Sequence, residues 1–420
     1  MGAHSIMVDI EFRTRIDEDR LRGAHGVRIS VPETLGRKGL CELVNELVTV
    51  DEVKDRVTFD FVVEGRLLRT TLQKLCQRID WSRERVLLVE YILPTPPPSS
   101  RDVQQICSDW ISSLDLTSSN GWMVGCYDGG VRAVSTDLGA ICEVLLPSAV
   151  KDVKALATND GEHYTIAGTA KGELYFLAQE GLGIVDHISI DEGSINSIAL
   201  IDVPTWKLAC GTWSGNIRVV ERTADQDDLN SGTKLKRKKL QRIATDVAFS
   251  LEGHSSCVTR LVTSSSNARL ISSSWDSSVR LWDTEMSKLI SALPTLKPAT
   301  DVSVVEPSLE QHTTMATSCT DGCIRLLDPR SSSSASIVGT FVGAHQASVS
   351  RVLWYPTTMG LLSGGLDGVV HLWDIRSTTV PLFSQKEAHG SGGKVLCIAG
   401  GDSQGGFISG GSDGRLRRFT

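Results

Sequence analysis

The sequence has no apolar run approaching the roughly 18 residues that a membrane span requires. Its N-terminus, MGAHSIMVDIEF, alternates instead of joining a basic stretch to an apolar block, so no secretory signal is read there. The ten cysteines are scattered without framework spacing. Only Cys319 and Cys323 lie close together, and neither a second pair nor a histidine spacing completes a zinc site. Thiols dispersed in apolar contexts are the pattern of small core residues in a reducing compartment. Positive charge is in slight deficit, 43 Lys+Arg against 50 Asp+Glu for a formal net charge of −7. That balance argues against general coating of nucleic acid and leaves room for a local basic patch. Catalytic signatures are missing as well. Gly393-Lys394 is followed by Val395 and lacks the spaced glycine of a P-loop. There is no HExxH, no GxSxG elbow, no arguable glycosidase carboxylate pair, and no metal-ligand spacing among the nine histidines. The reading is a soluble, intracellular non-enzyme with no intrinsic cofactor or metal.

What is present is a repeat. From about Trp110 onward, small residues, a turn and an alternating strand recur seven times: VGCYDGGVRAV, IAGTAKGELYFL, ACGTWSGNIRVV, SSSWDSSVRLWD, ATSCTDGCIRLLD, LSGGLDGVVHLWD and ISGGSDGRLRRF. The turn position falls on Asp128, Lys171, Ser214, Asp276, Asp321, Asp367 and Asp413, in steps of 43, 43, 62, 45, 46 and 46. A WD40 blade of four strands repeats at about 40–45 residues, so one step carries an insertion. His254 and Trp282 lie 28 apart, as do His345 and Trp373, and each Trp precedes an Asp. His254, Asp276, Trp282, His345, Asp367 and Trp373 are read as a structural hydrogen-bond network tying the strands of single blades. The array resembles the WD40 family and predicts a seven-bladed propeller over residues 102–420.

The last repeat ends on its third strand, so an outer strand must come from elsewhere. Residues between Asp102 and Cys107 are expected to supply it, with DWISSLDL (Asp109–Leu116) opening blade one. The insertion, residues 223–253, carries Lys234, Lys236, Arg237, Lys238, Lys239 and Arg242. It reads either as a solvated loop, or as a nuclear-import signal or RNA-backbone contact. Residues 94–101 hold PTPPPSS, a semi-rigid proline-rich linker, because proline removes donors and fixes φ.

Residues 1–93 read as a separate domain. Ile6–Thr14, Val27–Pro32, Thr58–Val63 and Val86–Tyr91 read as strands, and a Glu64-Gly65 turn after the third leads into a further short one. Leu40, Leu43, Val44 and Leu47 stand at helical spacing, and Leu72–Arg78 suggests a shorter helix. The order ββαββ(α)β is that of an α+β ubiquitin-like (β-grasp) domain. No diglycine closes it and the chain runs on, so it is read as a handle acting in place.

FDFVVEGRLLRTTL (Phe59–Leu72), GLCELVNELV (Gly39–Val48) and VEY followed by prolines resemble the Notchless-type ubiquitin-like domain of ribosome-assembly WD-repeat proteins. With DWISSLDL and seven repeats, the chain as a whole resembles the family supplying the WD-repeat subunit of the PeBoW complex. The resemblance implies a nuclear, nucleolar and nucleoplasmic assembly factor of the large ribosomal subunit, acting in rRNA processing and pre-ribosome maturation. Its propeller would dock on the WD-repeat PeBoW scaffold beside a pescadillo-type partner. Its front domain would be grasped by the metal-ion-dependent adhesion site of the AAA+ ATPase midasin, which removes the factor from pre-ribosomal particles. In that family an acid just before the last strand completes the partner's Mg²⁺ shell, and hard oxygen ligands suit that ion. The position falls here on Glu84 in Trp81-Ser82-Arg83-Glu84-Arg85, with Asp80 the fallback and Glu64 third. A surface glutamate pairing with Arg83 or Arg85 is the plain alternative. The competing function is an adaptor of the ubiquitin system that delivers propeller-bound substrates.

Overall fold

The computed structural model describes residues 6–14, 16, 18, 21–48, 57–78, 81, 85–94, 98–117, 121–157, 163–178, 181–190, 192–202, 206–222, 245–264, 269–304, 314–331, 336–355, 360–400 and 406–420. Two compact units emerge, Met1–Pro97 with Trp373–Leu382, and Pro98–Leu372 with Phe383–Thr420.

In the first unit the order is β1 (Met7–Arg13), β2 (Arg28–Pro32), α1 (Arg37–Leu47), β3 (Asp60–Val63), β4 (Arg66–Leu67), α2 (Leu72–Arg78) and β5 (Leu87–Ile92). The sheet runs β2-β1-β5-β3-β4, with β1 and β5 parallel at its centre, as in a β-grasp fold. Alternation along β1 turns Val8, Ile10 and Phe12 inward, while α1 contributes Leu40 and Val44 from one face. Tyr91 sits at the middle of this core, edge-on to Phe59 and Phe12. Its hydroxyl donates to the Leu21 carbonyl at 2.9 Å, so burying the phenol strands no polar atom. Asn45 on α1 exchanges two hydrogen bonds with the backbone of Val57 and fixes the approach to β3. The β3–β4 hairpin turns on Glu64 and Gly65, both with positive φ (47° and 75°), the pairing that matches strand twist in a two-residue turn.

The second unit contains seven four-stranded antiparallel sheets. Their innermost strands are Ile111–Leu116, Val150–Ala157, Ile195–Asp202, Val258–Ser264, Ala299–Val304, Val349–Tyr355 and Val395–Gly400. Each packs on the next, and the seventh packs back on the first, which makes the ring. Blade seven takes its outer strand from β6 (Ser100–Gln105), which pairs with Arg415–Phe419. The closing strand therefore begins at Ser100, inside the stretch read as linker, and stops at Gln105. The span read as the 223–253 insertion likewise contains a regular element, the outer strand Thr245–Leu251 of blade three.

All seven inner strands carry a bulge after their first residue. A bulge re-aims the side chain that follows it, here Ser113, Asp152, Ser197, Arg260, Asp301, Arg351 and Cys397. Several of these tie neighbouring blades together. The Asp152 carboxylate accepts from the Ile198 amide (2.8 Å), Ser197 Oγ from the Leu261 amide (3.1 Å), and Asp301 from the Val352 amide (2.9 Å). Arg260 reaches Asp152 of blade two at 3.4 Å and Asp301 of blade five at 3.5 Å, a cation shared across the ring.

Candidate functional site

Three sets of residues bear on function: the handle's candidate acids, the blade network, and an exposed aromatic surface on the propeller. Glu84 and Asp80 lie outside the described residues, as do Lys234, Lys236, Arg237, Lys238, Lys239 and Arg242. The flanks of the handle loop are described. Trp81 packs against the domain core and Arg85 is exposed. Glu64 is exposed at the tip of the β3–β4 hairpin.

The open face of the handle sheet is charged along β1 and β2. Glu11 accepts from Arg28 (2.7 Å) and Arg13 (3.1 Å), and Ser30 bonds Asp9. Both arginines hold the Glu11 carboxyl below the usual carboxylate range, Arg28 most strongly.

The blade network is built on a serine that sequence reading passed over. In blade four, His254 Nδ1 bonds Asp276 at 2.7 Å and Nε2 bonds Ser272 Oγ at 2.7 Å, while Trp282 Nε1 donates to the same hydroxyl at 2.8 Å. In blade six, His345 bonds Asp367 (3.0 Å) and Ser363 (2.8 Å), with Trp373 buried on the third strand. Blade seven repeats the arrangement with His389, Asp413 (2.8 Å) and Ser409 (2.9 Å). Burial raises the Asp276 carboxyl, but hydrogen bonds from His254 and Ser278 outweigh it and hold the group well below its ordinary range. Blades one and five replace histidine by an arginine four residues after the turn acid: Arg132 on Asp128 (2.9 Å) and Arg325 on Asp321 (2.6 Å). In blade three, Glu192 takes the acid's part and is held by Arg218, Ser214 and Asn216. Apart from the exposed Ser214 and Asp321 and the unpaired Nε of Arg132, these groups are buried or half-buried and bonded to one another, so they stabilise blades and offer little to a ligand.

The exposed aromatics are a different matter. Trp110, Trp213 and Trp275 are 42%, 55% and 45% exposed. Trp213 and Trp275 meet edge-on with ring centroids 5.5 Å apart, and Trp110 meets Tyr127 at 6.0 Å. Lys151 lies over the Tyr127 ring (4.5 Å) and Lys394 over Trp110 (5.3 Å). Tyr127, Trp213 and Trp275 immediately follow the second strands of blades one, three and four, while Trp110, Lys151 and Lys394 stand where inner strands begin. Because every blade runs the same way from its inner strand, all six sit at one end of the ring. The signal was present in the aligned repeats. The residue before the turn position is aromatic in three copies and Ala170, Thr320, Leu366 or Ser412 in the others.

The fold and blade network define a WD40-repeat propeller protein with an NLE-type β-grasp domain: residues 8–76 match the NLE (NUC135) domain, and 246–283 and 336–374 the WD domain, G-beta repeat. The two matched repeats are those holding a complete His, Asp and Trp set. Over nearly its whole length the chain is similar to proteins named "Ribosome biogenesis protein WDR12 homolog". The Oryza sativa subsp. japonica relative is 29% identical over 413 residues, covering 92% of this chain and 91% of that one. The Chlamydomonas reinhardtii relative is 29% identical over 426 residues, covering 93% of each. The Arabidopsis thaliana relative is 26% identical over 431 residues, covering 97% and 95%. Among solved structures, the WD40 β-propeller domain of Doa1 superposes with a TM-score of 0.58 at 16% identity, covering 78% of this chain and 97% of that domain, a likeness of fold.

Proposed function

We propose that this protein is a ribosome-biogenesis factor of the large subunit, a non-enzymatic adaptor with a docking propeller and a handle. The observation carrying the reading is end-to-end similarity to relatives of that name, covering 91% or more of both chains with the NLE-type domain and the propeller in one order. In this reading the protein acts in the nucleolus and nucleoplasm on pre-ribosomal particles. Its propeller binds the PeBoW scaffold and, through it, the pescadillo-type partner. The end of the ring bearing Trp110, Tyr127, Trp213 and Trp275 is the docking face, since part-exposed aromatics flanked by lysines are the residues that anchor protein interfaces. Midasin grasps the handle, and the Glu84 carboxylate joins the shell of the Mg²⁺ that midasin holds.

The ubiquitin-adaptor reading rests on an apolar patch on the sheet. Charged pairing of Glu11, Arg13 and Arg28 along β1 and β2 favours the assembly-factor reading instead. The deciding experiment titrates the full chain, wild type and Glu84→Ala, against the adhesion domain of midasin with Mg²⁺ and with chelator. A shared-metal ligand at an interface centre should cost about 2–4 kcal/mol on truncation. Metal-dependent binding that survives Glu84→Ala moves the role to Asp80. Absence of binding gives the lead to the ubiquitin-adaptor reading.

A further inference from the structure

The strand that closes the ring is also the first element after the handle. The N-terminal stretch of the first unit ends at Pro97 and β6 begins at Ser100, so tension on the handle enters the propeller through β6. That strand lies at the edge of blade seven's sheet and pairs only with Arg415–Phe419. Ser99 and Thr420 extend the ladder, exchanging amide–carbonyl bonds of 2.9 and 3.1 Å. Val103, Gln104 and Gln105 are exposed, so this part of the strand buries little apolar surface and rests on its backbone ladder. Gln105 adds side-chain bonds to Arg415 (2.9 Å) and to the Asp413 carbonyl (3.1 Å).

The junction beside β6 is also the one without a polar latch. The second residue of an inner strand commonly reaches the carbonyl that opens the next. Asn196 donates to Val258 (3.1 Å), Thr259 to Ala299 (3.0 Å), Thr300 to Val349, and Ser350 to Val395 (2.7 Å). Blades one and two are joined instead by Asp115, which accepts from the Ala155 amide at 2.8 Å and pairs with Lys154. Blades two and three are joined by the Asp152 bond to Ile198. Between blades seven and one the same positions hold Leu396 and Cys397. Leucine has no donor, and the Cys397 thiol meets the Ile111 carbonyl only at 3.8 Å. Ser112 and Ser113, on blade one's inner strand, are buried with unbonded hydroxyls. Among the described residues, no side-chain nitrogen or oxygen of these two inner strands crosses the junction. Packing among Ile111, Leu114, Cys397 and Ile408 holds it.

We propose that a pull on the handle strips β6 from blade seven and opens the ring between blades seven and one, so that the factor leaves its partner as an opened propeller. The proposal rests on the handle reading above and gives the grip a mechanical consequence. Ser99 and Thr420 stand together at one end of the β6 ladder, so a force that separates them breaks its bonds one at a time. In the handle β1 and β5 are parallel, and a pull on the handle's two ends loads their bonds together. The handle therefore outlasts the closing strand. With β6 gone, apolar packing alone spans the junction. Trp110 and Tyr127 of blade one then part from Lys394 of blade seven, which breaks up the docking end.

The test holds the full-length protein in an optical trap by tags at its two ends. The expected first event is short, since residues 99–109 at about 3.5 Å each give about 4 nm. A larger step follows as blade one leaves blade seven, and both precede unfolding of the handle. Val103 and Arg417 are directly opposed in the ladder, so Val103→Cys with Arg417→Cys should staple β6 in place. The oxidised variant should lose the short event, and reductant should restore it. Amide hydrogen exchange reads the same asymmetry without force. β6, Ile111–Leu116 and Val395–Gly400 should exchange ahead of the inner strands of blades three to six. A handle that lengthens first, or stapled and reduced proteins that behave alike, would overturn the proposal. So would exchange that is uniform round the ring. Should the staple fail to form, wild-type traces and exchange decide. None of these measurements uses midasin, so a failure of ring opening and a failure of the handle reading are told apart.

Discussion

Ser272 is the atom on which blade four's network converges, since its hydroxyl meets both His254 Nε2 and Trp282 Nε1. Replacing it with alanine strands a histidine nitrogen and an indole N–H in a dry interior. Ser272→Ala should therefore cost about 1–3 kcal/mol in denaturant unfolding while leaving partner binding unchanged. His371 gives a pH-dependent counterpart. Burial, then the neighbouring His345, pushes its imidazole down to about 4. The unfolded chain takes up a proton near pH 6.5 that the folded chain refuses. The contribution is therefore complete above about pH 6.5 and declines as pH falls towards 4. His371→Gln should flatten the melting temperature's slope in that window, and an unchanged slope would place the titration elsewhere. At this scale sequence reading reaches residues with a fixed spacing and stops at the others. The 28-residue step links His254 to Trp282, but a serine's role depends on which partners fold over it. His389 escaped notice because its acid lies 24 residues on rather than 22 and Phe419 stands at the tryptophan's place.

Elements are set by pattern, and their ends by contacts the pattern does not contain. Seven recurrent turns suffice to count blades, because each turn must lie between two strands of the same sheet. The closing strand's register is fixed instead by Arg415–Phe419, more than 300 residues away, so its start at Ser100 has no local signature among prolines and serines. Gly414 is where that closure is tightest. Its φ is +68°, a Cβ would collide with the Cys107 carbonyl, and the Asp109 carbonyl lies 3.0 Å from the same point. Gly414→Ala combines a disfavoured backbone with a backbone clash that no rotamer relieves. It should lower the melting temperature and raise proteolysis at the 98–107 connector, while the comparable change at Gly343, with φ +63° and open space around it, should cost less.

Across the whole propeller, the proposed function places stability and recognition in different parts of the ring. Stability sits in the inner strands and blade clamps. Arg260, only one-fifth exposed, faces two carboxylates that are almost wholly buried. Its replacement by methionine would leave both acids without their shared cation, and breaking a buried pair in this way costs about 3–5 kcal/mol. The proposed function assigns recognition to the end of the ring where Trp213 and Trp275 stand half in solvent, meeting edge-to-face and leaving part of each ring exposed. Truncating an interface aromatic removes a contact made only in the complex, so Trp213→Ala with Trp275→Ala should leave the melting temperature within a degree or two of wild type. Scaffold capture should fall at least 30-fold, the equivalent of about 2 kcal/mol for a hot-spot residue. Arg260→Met should do the reverse, lowering the melting temperature while the fraction that remains folded binds with wild-type affinity. Comparing these variants by thermal unfolding and by titration against the scaffold propeller tests the assignment directly. If the tryptophan pair unfolds the ring, or leaves binding intact, the docking face lies elsewhere on the propeller.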